Sequence, residues 1–246
     1  MLQQEENNEL KVLFIIQNNN YEQIIMQQNN SKVIVLKQNQ EAKLVNALYE
    51  MMYLNKQLEE RKIQLEQHDD FDLNQFYSFF DTFNQKKITR LDFELGCMQL
   101  GIKVKKQQIN LLFQRFSEDN SFLTYQEFVN VISCSNDPLV RIVTKISIKT
   151  MTKFKELIAQ ILLTEEKIQL VKERLAENSE FSLELAFLFF DKLKVGTITI
   201  DEFREVFESY NIQITNQEIE SLISIYTKKE SRVSYGSFIS GMNPIQ

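Results

Sequence analysis

"FSLELAFLFFDKLKVGTITIDEF", residues Phe181–Phe203, decides how the chain is read. Asp191 is followed five residues later by Gly196, then by the apolar Ile198 and a second acid, Glu202, with Phe189 and Phe190 before the stretch and Phe203 after it. Moved back by 110 residues, the same frame appears in "FDLNQFYSFFD", Phe71–Asp81, followed by Ile88, Asp92 and Phe93. Phe71–Ile132 and Phe181–Met242 align without a gap, with 15 of 62 positions identical. Apolar pairs such as Val104 with Ile214 and Leu123 with Val233 extend the match, so the repeated property is a core. The sequence therefore predicts two copies of one helical lobe, joined by Ser133–Glu180.

The bulk composition narrows the function classes. A net charge of -6 and no Lys/Arg stripe speak against nucleic acid, because phosphate binding needs a concentrated basic face. With 5 Gly and 2 Pro in 246 residues, helices are favoured over turn-rich β folds. No apolar run approaches the ~18 residues of a membrane span, and "MLQQEENNEL" resembles neither a signal nor a transit peptide. Cys97 and Cys134 lie in apolar helical patterns and read as buried thiols of a reducing compartment. His68, beside Asp69 and Asp70, reads as part of a solvated linker. No nucleophile stands near a base in the pattern, and there is no Gly-rich phosphate loop. No catalytic residue and no cofactor is expected.

Five segments follow along the chain. Residues 1–40 form an amide-rich arm, 16 of the 40 being Asn or Gln, with two short strand-like runs, Lys11–Ile16 and Lys32–Lys37. The arm is expected to be mobile in the free protein and ordered by a partner. Residues 41–70 carry a helix in which Leu44, Leu48, Met51, Asn55, Leu58, Lys62 and Leu65 fall at alternating spacings of four and three. Two of those seven positions are polar, which suits a weak coiled-coil seam or a helix lying along a partner or along its own lobes. The first lobe spans 71–135. The connector spans 136–180, restarting after Pro138 as a helix from about Thr150 to Ala176, with Leu157, Ile161, Thr164, Ile168, Val171 and Leu175 on one stripe. The second lobe spans 181–246. The fold class is mainly α: two lobes of paired helices joined by a long helix, preceded by a helix and an amide-rich segment.

These residues resemble the EF-hand family, in the two-lobed arrangement of calmodulin and centrin. The resemblance implies four helix-loop-helix units whose loops carry oxygen ligands at positions 1, 3, 5, 7, 9 and 12, with glycine at 6. Asp191–Glu202 keeps the acids at 1 and 12 and the glycine, yet has Leu193 and Val195 at positions 3 and 5. Asp81–Asp92 has Phe83, Gln85 and Lys86 at positions 3, 5 and 6. The second loops, Ser117–Glu127 and Thr227–Ser237, are one residue short, and the latter carries Lys228 and Lys229. No metal site is therefore expected; Asp191, Thr199 and Glu202 are the weak candidate. The expected role of Asp191 is to cap a helix end, and that of Glu202 is to face the next helix's dipole.

What the resemblance implies for function is a non-catalytic adaptor that binds partner proteins without calcium, with Leu157, Ile161, Ile168, Val171 and Leu175 as the partner-binding stripe. The implied partners are helical segments or microtubule-associated proteins of a large assembly, not nucleic acid or membrane. The Asn-, Gln- and Ile-rich composition resembles degenerate EF-hand proteins of the ciliary axoneme in ciliated protists, which implies a cytoplasmic, cytoskeletal location. The alternative is a calcium-responsive regulatory subunit switched at Asp191–Glu202.

Overall fold

The computed structural model describes residues 36–134, 143–177, 181–227 and 230–245. The strand-like run 11–16, most of 32–37, the Pro138 break, Lys228 and Lys229 lie outside the described residues. Among the described residues the chain is mainly α, with ten helices and four short strands. They are α1 (Gln38–Glu66), α2 (Leu73–Phe80), β1 (Ile88–Thr89), α3 (Arg90–Gln99), α4 (Lys106–Phe116), β2 (Phe122–Leu123), α5 (Tyr125–Ile132), α6 (Ile148–Ala176), α7 (Leu183–Phe190), β3 (Thr197–Thr199), α8 (Ile200–Ser209), α9 (Asn216–Ile223), β4 (Arg232–Ser234) and α10 (Tyr235–Met242).

Local chemistry sets the helix starts. Thr89, Thr124 and Thr199 each accept from the backbone N–H three residues on, while Asp92, Glu127 and Glu202 reach back to the threonine's own N–H. Each such capping box satisfies two donors that a helix start leaves without partners, and loss of the threonine would cost about 1 kcal/mol. The helices between the boxes are short, eight to eleven residues. Helices of that length are marginal alone and hold only by packing.

The chain divides into two compact units, 54–169 and 170–244 together with the N-terminal portion through Tyr53. α1 and α6 each contribute residues to both units.

In the 54–169 unit, α2 and α3 form one helix-loop-helix and α4 and α5 another. β1 and β2 pair antiparallel, Ile88 opposite Leu123. Phe76, Phe80, Phe93, Phe113 and Phe128 are fully buried, and Phe80 stacks on Phe93 at 4.9 Å. Phe154, Leu157, Ile158, Ile161 and Leu162 of α6, and Leu58 and Leu65 of α1, belong to the same core. Burying the five α6 side chains is worth on the order of 10 kcal/mol of apolar transfer, an upper estimate. That gain keeps α6 in the space between the paired helices.

The polar positions of the α1 seam have partners. The Asn55 side-chain oxygen accepts from the Arg115 guanidinium at 2.7 Å, and Arg115 also pairs with Glu165 of α6. Lys62 Nζ donates to the Asn130 carbonyl at 3.0 Å and sits 5.7 Å from the centre of the Phe116 ring. All seven seam residues are buried, so α1 lies along its own lobes. Arg115 and Glu165 form a largely enclosed pair whose charges satisfy one another, so removing either partner would leave the other charge uncompensated.

In the other unit, α7 with α8 and α9 with α10 repeat the plan, and β3 and β4 pair with Ile198 opposite Val233, the same register 110 residues on. Phe187, Phe190, Phe203 and Phe238 fill its core. Residues 38–53 of α1 bury Leu44, Leu48 and Met51, and Glu41 accepts a hydrogen bond from the Tyr210 hydroxyl at 3.0 Å.

One smaller expectation gains contacts and another is corrected. In the linker between α1 and α2, His68 Nδ1 lies 3.2 Å from Thr150 Oγ1, which donates to Asp70, while Asp70 also accepts from the Ser147 backbone N–H. This contact anchors the start of α6, which begins at Ile148, two residues before the predicted Thr150. Of the two cysteines only Cys97 is buried; Cys134 is exposed. Desolvation pushes the Cys97 thiol up to about 12, so it is inert near neutrality.

Candidate functional site

The loop that follows α7 is closed by its own first residue. Asp191 stands at the end of α7, and its Oδ1 accepts from the Val195 N–H at 2.9 Å while Oδ2 accepts from Gly196 N–H at 2.8 Å. The loop after α2 does the same: Asp81 Oδ1 accepts from Gln85 N–H at 2.7 Å and Oδ2 from Lys86 N–H at 2.8 Å. Two carboxylates 110 residues apart thus make the same pair of backbone bonds. The oxygens that would face an ion hold the turn instead.

Thr199 and Glu202 come together. Glu202 Oε2 accepts from the Thr199 N–H at 2.8 Å and from its hydroxyl at 2.9 Å, which is the capping box of α8. Glu202 Oε1 is buried and has no hydrogen-bond partner. Glu127, closing the second loop of the first lobe, differs: its Oε1 accepts from Glu118 N–H at 2.6 Å and its Oε2 from Thr124. An unpaired buried acceptor costs about 1–3 kcal/mol, and among the three candidate residues Glu202 Oε1 is the buried oxygen without a hydrogen-bond partner.

Three of the loop positions that would supply ligands have side chains without oxygen. Phe83 and Leu193, both at the third position, are 72% and 78% exposed, and Val195 is 63% exposed. Among the described residues no group of three or more His, Cys, Asp or Glu is placed to hold a metal ion. With Leu193 and Val195 at positions 3 and 5, the donor set at Asp191–Glu202 does not fit a calcium ion, which takes six to eight oxygens. The backbone frame persists regardless: Lys86 holds a left-handed φ of 56° where Gly196 has 81°.

The predicted partner stripe lies inside the chain. Leu157, Ile161, Ile168, Val171 and Leu175 are between 0% and 7% exposed, and Leu157 and Ile161 pack in the core with Phe80 and Phe93. A partner would reach these side chains only by displacing part of this chain. Periodicity identified the buried face but carried no information about what covers it. Sequence reasoning aligned Asp81 with Asp191 at the first loop position but assigned a capping role to Asp191 alone.

No family model matches the chain. The chain is similar to a protein of Arabidopsis thaliana named calcium-dependent protein kinase 14, being 25% identical over 169 residues. That region is 68% of this chain and 24% of the relative, so the chain spans about a quarter of the length of the curated relative it matches. No helix among the described residues is long and apolar enough to cross a membrane.

Proposed function

We propose that the protein is a non-catalytic adaptor built on two EF-hand-like lobes that keep their shape without calcium, and that it binds other proteins of a cytoskeletal assembly. The observation that carries this reading is the repeated loop closure. Asp81 and Asp191 each spend both carboxylate oxygens on backbone amides, so each loop is complete without an ion. The similarity to a protein named as calcium-dependent accords with descent from ion-binding lobes. Placement in the ciliary axoneme is supported by the amide- and isoleucine-rich composition alone. The test is affinity capture by the full chain from a native extract, with chelator and with added calcium. The same partners at the same stoichiometry under both conditions are expected; a partner set held only with calcium overturns the reading.

A second reading is favoured by one atom. Glu202 Oε1 is buried and unpaired, which leaves a ligand position at Asp191–Glu202 and a route to a calcium-responsive regulatory subunit. Against it, an ion at this loop would need oxygens that the Leu193 and Val195 side chains lack.

A further inference from the structure

The two lobes present the same helix face with opposite chemistry. On α3, Leu91, Leu95 and Met98 are 62%, 42% and 65% exposed and follow one another at spacings of four and three, forming an outward apolar stripe. The matching positions of α8, 110 residues on, are Asp201, Glu205 and Glu208, also exposed. The fold therefore accepts acids at this face, and nothing in the lobe's own packing calls for Leu and Met there.

The end of the stripe is equally differentiated. α3 stops at Gly101, whose φ of 69° turns the chain into the segment holding Lys103, Lys105 and Lys106, all exposed. Lys155 of α6 joins them, its Nζ lying 3.3 Å from where a Cβ on Gly101 would stand. Lys105 is neutralised by Glu166 at 2.6 Å, while Lys103, Lys106 and Lys155 have no ion pair among the described residues. The counterparts of Lys103, Lys105 and Lys106 in the second lobe are Gln213, Thr215 and Asn216, which are uncharged. One copy has three apolar side chains leading into a cluster of lysines; the other has three acids leading into neutral residues.

We infer that the outer face of α3, with Lys103, Lys106 and Lys155 at its end, is a docking site for an amphipathic helix of another protein that carries acidic residues beside its apolar stripe. The inference rests on the adaptor reading and adds the chemistry of its partner. The apolar side chains of such a helix would cover Leu91, Leu95 and Met98. Its carboxylates would meet the three lysines, giving orientation and a salt-sensitive association rate. This face is separate from the space between the paired helices, which α6 already fills.

The test uses the full chain and a fluorescent synthetic helix, stapled to hold its shape, with leucines at spacings of four and three and glutamates elsewhere. A twin with lysines replacing the glutamates is the control. The glutamate helix is expected to raise anisotropy saturably, and Met98→Glu or the pair Lys103→Glu with Lys106→Glu to weaken it by about tenfold or more. Both sites are exposed, so thermal unfolding should be unchanged, and Glu205→Ala in the second lobe should have no effect. Equal or tighter binding of the lysine twin, or indifference to Met98→Glu, overturns the proposal. So does a sedimenting dimer that Met98→Glu dissociates, since the occupant is then a second copy. Calcium-dependent capture of partners would overturn the adaptor reading while leaving these peptide results as they stand.

Discussion

Phe154 of α6 lies face to face on Phe76 of α2, ring centroids 4.0 Å apart and planes within 12°. A ring from α6 thus belongs to the core of the first lobe, where it also meets Phe80 edge-on. Phe154→Ala should destabilise the 54–169 unit by about 3–5 kcal/mol in denaturant unfolding, as for other large aromatics removed from a core. Ile161→Asp, placing a charge in the same core, should unfold that unit outright. A loss under about 1 kcal/mol for Phe154→Ala would mean that α6 is not part of this core.

The loop carboxylates make a separate prediction about calcium-free stability. Asp81→Ala and Asp191→Ala each leave two backbone N–H groups without their acceptor, at a cost of about 1–3 kcal/mol. The loss should be the same in chelator and in millimolar calcium, because the carboxylates act on the loop itself. A destabilisation seen only with calcium would assign them back to an ion.

Lys86 occupies a backbone conformation that suits glycine. Its φ is 56°, against 81° for Gly196 at the matching position, and a non-glycine residue there carries about 1–2 kcal/mol of strain. Lys86→Gly should therefore raise stability, by about 0.5–1 kcal/mol after the extra entropy glycine loses on folding. Thermal unfolding of the single variant checks this; a lower midpoint would show that the lysine makes a compensating contact.

Lys62 gives the protein an alkaline signature. Desolvation, above all other causes, lowers its folded pKa from 10.5 to about 8. Between those values the unfolded chain binds the proton and the folded chain does not, so stability rises with pH from about 8 to 10.5. Below about 8 the buried charge costs on the order of 3 kcal/mol. Lys62→Met should abolish the rise, although at neutral pH its gain is offset by about 1–2 kcal/mol for the Asn130 carbonyl left unpaired. Denaturant midpoints at pH 7, 8, 9 and 10 for both proteins decide it, and equal slopes would contradict the assignment.

The repeat made the fold legible. Ile88 and Ile198 were recognisable as matching apolar positions, and they do stand opposite Leu123 and Val233 in the two short ladders. The α1 face was legible too, but Asn55 and Lys62 looked like flaws in a seam because their partners, Arg115 and Asn130, lie 60 and 68 residues away. Periodicity gives a face and not its neighbour, which is why Leu157 and Ile161 read as a surface for a partner. The loops were readable for what they lack, since Leu193 and Val195 carry no oxygen. How they close was not, because Asp191 bonds to main-chain groups that every residue possesses.

Calcium titration of the full chain by calorimetry tests the central claim most directly. With no side-chain oxygen at Phe83, Leu193 and Val195, and with Asp81 and Asp191 already closing their loops on backbone amides, no saturable heat is expected below the ~1 mM limit of known EF-hand sites. A saturable signal at micromolar calcium that disappears in Glu202→Gln would contradict the account and establish Asp191–Glu202 as a working switch.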